Sequence, residues 1–154
     1  MNRSIGSHTL EPVVLEIYKL AKTIAPHRFL DGLAWINSAG RDIGTLFSNY
    51  DLLLSPSTAV TAPQHGVLGL DHEGFDPVEY YAYGDRPIQF SFPFNVSGAP
   101  AISLPLTMHS NGLSIGIQLA GRPAEDHVVI ALESALEEAL PWNKRTPPLH
   151  VSKM

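Results

Sequence analysis

From Leu113 to Gly121 the chain alternates strictly. Leu113, Ile115, Ile117 and Leu119 fall on one face of an extended strand, and Ser114, Gly116, Gln118 and Ala120 on the other. An apolar run, Ala101 to Leu106, precedes it, and Asn111-Gly112 lies between the two. That pair tolerates positive φ, so the pattern predicts a β-hairpin over 101–121 closed by a two-residue turn. Helical periods flank it. Leu10, Val13, Val14, Ile17, Leu20, Ala21 and Ile24 share one face of a helix over 10–24, with Thr9 as its N-cap and Pro26 ending it. Phe29, Leu33, Ile36, Gly40, Ile43 and Phe47 recur every three or four residues over 27–49, where Gly40 and Gly44 mark close packing. Asp51 to Leu54 reads as a buried strand stopped by Ser55-Pro56. Ala124 to Leu140 reads as a helix with Glu125 and Asp126 in its first turn and Val128, Leu132, Ala135, Leu136 and Ala139 buried.

Between Ser55 and Pro100 the pattern breaks into Gly, Pro and polar residues. Within it Asp76-Pro77-Val78-Glu79 has the signature of a helix start, with Asp76 as N-cap, Pro77 as first helical residue and Glu79 as capping-box partner. A short helix over Tyr80 to Tyr83 is expected, and a second reaching Phe92. The organisation is then helices over 1–50, a strand and long loop over 51–100, the hairpin over 101–121, a helix over 122–142 and an extended tail over 143–154. This is a single α/β layer. Loops of such length are uncommon in a self-contained domain, and three strands leave apolar edges open. The expectation is a piece of a larger architecture.

Bulk composition narrows the function classes. A hydrophobic share of 44% against 16% charged residues is that of a globular protein. The net charge of −5 and the lack of any basic cluster argue against a nucleic-acid partner. No cysteine is present, which removes disulfides and thiolate chemistry and fits a cytoplasmic location. No apolar run is long enough to span a bilayer, so a soluble, membrane-free protein is expected.

Candidate chemistry is sparse. Gly112-Leu113-Ser114-Ile115-Gly116 matches the Gly-x-Ser-x-Gly nucleophile elbow, with Asp126 and His127 or His150 following in hydrolase order. That elbow needs a strand into the serine and a helix out of it. Here a turn precedes Ser114 and a strand follows, which favours a hydroxyl on the non-core face of a sheet. The seven histidines are scattered. His65, His72 and Glu73 stand close in sequence, but without helical metal-ligand spacing they read as solvated, and neither metal nor cofactor is expected. Gly66-Val67-Leu68-Gly69 lacks the Lys-Ser/Thr and the helix of a phosphate loop. Tyr80, Tyr81, Tyr83, Phe90, Phe92 and Phe94 either line an apolar pocket or fill core.

Four stretches in order, Asp51–Pro56 (DLLLSP), Pro93–Leu106 (PFNVSGAPAISLPL), Gly112–Arg122 (GLSIGIQLAGR) and Leu140–Trp142 followed by Pro147, resemble the C-terminal third of the amidase signature enzymes. Within that family the chain is most similar to the 6-aminohexanoate-cyclic-dimer hydrolase group. Glutamyl-tRNA amidotransferase A subunits are a more distant fit, and Ser114 replaces the proline usual in the third motif. The resemblance implies a Ser–cis-Ser–Lys amide hydrolase whose catalytic serine loop lies in the family's N-terminal two thirds. No such Gly/Ser segment is present, neither Lys19 nor Lys22 has the matching context, and no catalytic residue carries over. Asp85, Ile88 and Phe92, spaced three and four apart on one helix face, match positions that line the acyl pocket, with Asn95 tying down the following turn. A small amide would then be substrate only for the complete enzyme, and this chain alone would be inactive. Its expected partner is the N-terminal amidase portion or a second copy, burying Leu52, Leu54, Ile102 and Leu104 or their helices. The alternatives are a stand-alone binding or scaffold protein derived from an amidase, and a serine hydrolase using Ser114.

Overall fold

The computed structural model describes residues 4–71, 73–74, 76–147 and 149–151. Its elements are α1 (Pro12–Ala21), α2 (Pro26–Leu46), β1 (Leu52–Pro56), α3 (Pro77–Ile88), α4 (Phe92–Ser97), β2 (Ala101–Met108), β3 (Ser114–Gly121), α5 (Asp126–Ala139) and a short 3-10 turn at Trp142–Lys144. The strands form one antiparallel sheet in the order β1-β3-β2, so the alternating strand is the central one. Helix α5 covers one sheet face, while α2 and α4 close the other. The α/β layer expected from the sequence is the observed class.

The hairpin forms, but its turn differs. Met108 pairs with Ser114, His109 N–H donates to Leu113 O at 2.8 Å, and Gly112 N–H donates to His109 O at 2.9 Å. Only Gly112 is left-handed (φ 85°) and Asn111 is not. A three-residue loop with glycine last therefore replaces the two-residue turn. Asn111 works through its side chain, whose Oδ1 accepts from Leu113 N–H at 3.1 Å. Strand β2 also runs past Leu106 to Met108. Its register with β3 slips by one residue between Leu104 and Thr107, around Pro105, which has no N–H to give the ladder.

Both faces of β3 are core at its C-terminal end. Leu104, Leu119 and Val129 are buried together, with Leu52, Ile102, Leu132, Leu136 and Trp142 packed against them. Phe47, Phe94, Ala99 and Ala120 form the opposite core, joined by Ile43 and Leu53. Fully burying a side chain such as Phe47 or Leu119 contributes about 1.5–3 kcal/mol each. In the helix expected over 124–140 Val129 is buried and Val128, Leu132 and Leu136 are half-buried, while Ala135 and Ala139, expected on the buried stripe, are exposed. β1 is an edge strand with Leu54 66% exposed, not the buried strand expected, because no described strand pairs with its outer side. Leu104, Leu52 and Ile102 are already engaged by α5, so of the four residues expected at a dimer face only Leu54 stays open.

Helix α2 keeps only part of its anticipated apolar face. At its C-terminal end a Cβ on Gly40 would lie 3.7 Å from Ser97 Cα, a close helix approach, whereas Gly44 faces open space. Phe29, Leu30 and Trp35 at the other end are 60–66% exposed. A 21-residue helix is about 31 Å long, and it packs chiefly on α4, whose six residues span only about 9 Å. Thr9 does not cap α1. Its hydroxyl bonds Ser4 and Gly6, and Glu11 takes the N-cap position without a side-chain bond. Arg122 joins three elements, donating to Phe47 O at 3.0 Å, Asp51 at 3.3 Å and Glu125 at 3.3 Å.

A Cβ at Gly121 would sit 2.6 Å from Val129 Cγ2, in a position where α5 meets the sheet. We expect Gly121→Ala to lower stability by about 1–3 kcal/mol through overpacking, with roughly 2–4 °C of melting temperature lost per kcal/mol. Gly44→Ala, with nothing within 4 Å, should instead gain about 0.5–1 kcal/mol. Equal melting temperatures for the two variants in a thermal scan would show that α5 is not seated on Gly121.

Candidate functional site

The segment that carries the candidate residues is fixed by its termini. Asp76 keeps extended backbone, and its Oδ1 accepts from the N–H groups of Val78 at 2.8 Å and Glu79 at 3.1 Å. Pro77 occupies the first turn, where a missing N–H costs nothing. Near the far end Pro87 removes a rung of the helical ladder, and α3 stops one residue later at Ile88. Ser91 closes the corner with its N–H and its hydroxyl, both donating to Ile88 O at 3.1 Å. Helix α4 follows, with Pro93 in its first turn, and Asn95 Nδ2 donates back to Ser91 O at 3.2 Å. Asn95 thus ties down this segment through its amide, within a helix and not the turn expected. Gly98, left-handed at φ 70°, ends α4 and releases the chain into β2.

Asp85, Ile88 and Phe92, with Gln89, line a shallow cleft of about 260 Å³ at this corner. They do not share one continuous helix face. Asp85 and Ile88 belong to the last turn of α3, Phe92 opens α4, and the bend at 89–91 brings them to the same cleft. Ile88 is 43% and Phe92 44% exposed, so neither is a core residue. Among the described residues Asp85 is in no ion pair. The cleft therefore presents two apolar walls, one carboxylate and one amide.

The aromatic stripe divides between the roles left open for it. Phe94 is core and Tyr80 is half-buried with its hydroxyl donating to Leu68 O at 3.1 Å, while Tyr81, Tyr83, Phe90 and Phe92 are exposed. On the other side of α3 the Arg86 guanidinium lies over the Tyr83 ring at 5.5 Å, in a second cleft of about 270 Å³ walled by Val60, Pro63 and Leu68. The glycine loop at 66–69 uses its neighbouring carbonyls to join helices: Leu68 O accepts from Tyr80, and Leu70 O from Val13 N–H at 3.1 Å. A larger, open cleft of about 660 Å³ lies over Ser4–Pro12.

Ser114 begins β3 with a turn before it and a strand after it, and its hydroxyl donates to Met108 Sδ at 3.4 Å. Asp126 and His127 open α5 beyond the opposite end of that eight-residue strand, about 23 Å along it. They do not meet Ser114. His65 and Glu73 are exposed, and His72 lies outside the described residues, among which no group of three ligating side chains is found. No described helix is long and apolar enough to cross a membrane.

The sequence profile of the Amidase family matches residues 2–130. The chain belongs to the amidase family. It is 37% identical over 106 residues to a 6-aminohexanoate-cyclic-dimer hydrolase of Paenarthrobacter ureafaciens, an alignment covering 66% of this chain and 21% of that protein. It is 29% identical over 151 residues to the A subunit of the glutamyl-tRNA(Gln) amidotransferase of Moorella thermoacetica, covering 98% of this chain and 29% of that one. A solved structure of 6-aminohexanoate cyclic dimer hydrolase superposes with a TM-score of 0.84 at 27% identity, over 95% of this chain and 31% of that one. The chain thus spans between a fifth and a third of the length of these amidases and aligns to their C-terminal part.

Two residues at this corner escape a reading of the sequence: Gln89, which lines the cleft, and Gln118, whose Nε2 donates to Phe90 O between its two walls at 2.9 Å. The signal for Gln118 is the long amide set among Ser114, Gly116 and Ala120, out of place on a small-residue face. Since the Asp76 carboxylate caps α3, Asp76→Ala should cost about 0.5–2 kcal/mol in urea unfolding while Asp76→Asn stays near wild type. Equal stability of both variants would show that the cap does not hold the helix.

Proposed function

We propose that this chain is the C-terminal portion of an amide hydrolase that works by serine acylation, with its Ser–cis-Ser–Lys set on polypeptide outside this sequence. By itself the chain turns over no amide. The observation that carries this reading is the superposition on 6-aminohexanoate cyclic dimer hydrolase over 95% of the chain. In such a reaction the serine oxygen bonds to the amide carbonyl while its proton passes through the bridging serine to lysine. Backbone N–H groups hold the oxyanion, the C–N bond breaks as the amine leaves with the proton, and water then releases the acid from the acyl-serine.

The part we assign to this chain is the wall of the acyl pocket. Ile88 and Phe92 offer apolar contact to a methylene chain, and the Asp85 carboxylate and Gln89 amide suit an amine or amide end. The substrate class that follows is a small aliphatic amide. Its partner is the catalytic portion of an amidase, or a second copy where that portion is absent. The exposed Phe29, Leu33 and Ile36, spaced three and four apart on one face of α2, support such a partner, since contiguous apolar surface of this kind is normally covered.

Three outcomes are expected. The chain alone should show background rates on p-nitroanilides, and rates should appear when it is combined with the N-terminal portion of a related amidase. Turnover by the chain alone that Ser114→Ala abolishes would overturn the reading, and an inactive combination would leave the scaffold reading in its place. In the complete enzyme, Ile88→Ala or Phe92→Ala should shift the preference between short and long acyl amides by about 1–3 kcal/mol, with little change in melting temperature. Finally, light scattering at tens of micromolar should find the isolated chain self-associated, and a monodisperse monomer would count against the partner assigned here.

A further inference from the structure

Gln118 is 5% exposed, the one buried polar side chain among the described residues. Its Nε2 spends both hydrogens, donating to Phe90 O at 2.9 Å and Ser55 Oγ at 3.2 Å. The register sets Gln118 between Ser55 on β1 and Ser103 on β2. Next along β3, the hydroxyls of Ser57 and Ser103 bond each other across Gly116, where a Cβ would come within 2.7 and 2.8 Å of them. A polar row thus crosses the sheet on the face away from α5. It ends beneath Phe90, in the 89–91 corner that joins the two walls of the cleft.

At the far side of that corner Ser91 O accepts from the α4 amides of Phe94 at 3.2 Å and Asn95 at 3.3 Å. Ser91 ties it to Ile88 locally, but the Gln118 bond anchors it to the sheet. Phe90 is exposed whereas Gln118 is buried, so if the corner moved away the desolvation cost would fall on the Gln118 amide, whose Nε2 would lose an acceptor. We propose that Gln118 is a positioning residue for the cleft. From the central strand it holds the α3–α4 corner, sets the separation of Ile88 and Phe92, and so governs which acyl length the cleft accepts. The acyl-length part rests on the function proposed above, whereas the hold on the corner does not.

Hydrogen exchange on the full 154-residue chain tests the hold. Gln118→Met keeps the length and removes the donor; Gln118→Asn keeps the amide but falls one methylene short. Either variant should speed exchange of amides 88–94 by on the order of tenfold, while α5 changes far less. Ser55→Ala, which spares the Phe90 bond, should leave 88–94 near wild type. A uniform rise in α5 and the corner alike would reduce Gln118 to a core stabiliser and overturn the proposal, as would an unchanged corner. A second arm titrates acetamide and hexanamide by ligand-observed NMR. Wild type should favour hexanamide, and Gln118→Met should narrow the ratio severalfold. If wild type binds neither amide, the acyl-length part falls together with the function it rests on, and the exchange result still decides the corner.

Discussion

The structure depends on β3 being covered on four sides. Among the described strands it alone pairs with a strand on each edge, and it alone supplies fully buried residues, Leu119 and Ala120, to the cores on both faces. That placement demands small side chains where helices press closest. Gly121 leaves room for Val129 of α5, and Ala120 for Phe47 and Phe94 on the other face. Larger residues at these two positions would hold α5 off the sheet or push α2 and α4 away. The three layers are thus set by the volumes of two adjacent residues at one strand end.

The candidate cleft is built outward from the same strand. Prolines decide where its two helices begin and end, because each lacks a donor and fixes its own φ. Pro77 starts α3, Pro87 ends it, and Pro93 enters the first turn of α4. These local devices leave a corner whose orientation they cannot choose. The buried amide of Gln118 supplies that orientation by reaching one carbonyl in the corner and one hydroxyl on β1.

Membership of the amidase family gives the open surfaces a context. Among the described residues both outer strands have unpaired edges, with Pro56 at the end of one and Pro105 bulging the other, and the first half of α2 carries bare aromatics. A three-stranded layer that exposes edges and apolar helix faces resembles a section through a wider sheet. The length relation to the amidases agrees, since the chain spans 31% of the solved relative while nearly all of it superposes.

Sequence by itself determined the elements with strong local causes. Strict alternation gave β3, Asp76-Pro77 gave the start of α3, and the family motifs gave the amidase relation. It also placed Asp85, Ile88 and Phe92 near one another, because their spacing is short enough to survive a bend. Tertiary structure decided the rest. Whether Asn111-Gly112 would form a two-residue turn depended on β2 and β3 settling into a bulged register around Pro105. Which stripe of α5 is buried depended on where Gly121 lets Val129 approach, and which end of α2 is covered depended on where the short α4 packs against it. Above all, the role of Gln118 rests on a carbonyl 28 residues away, and a contact at that separation leaves no trace in local periodicity.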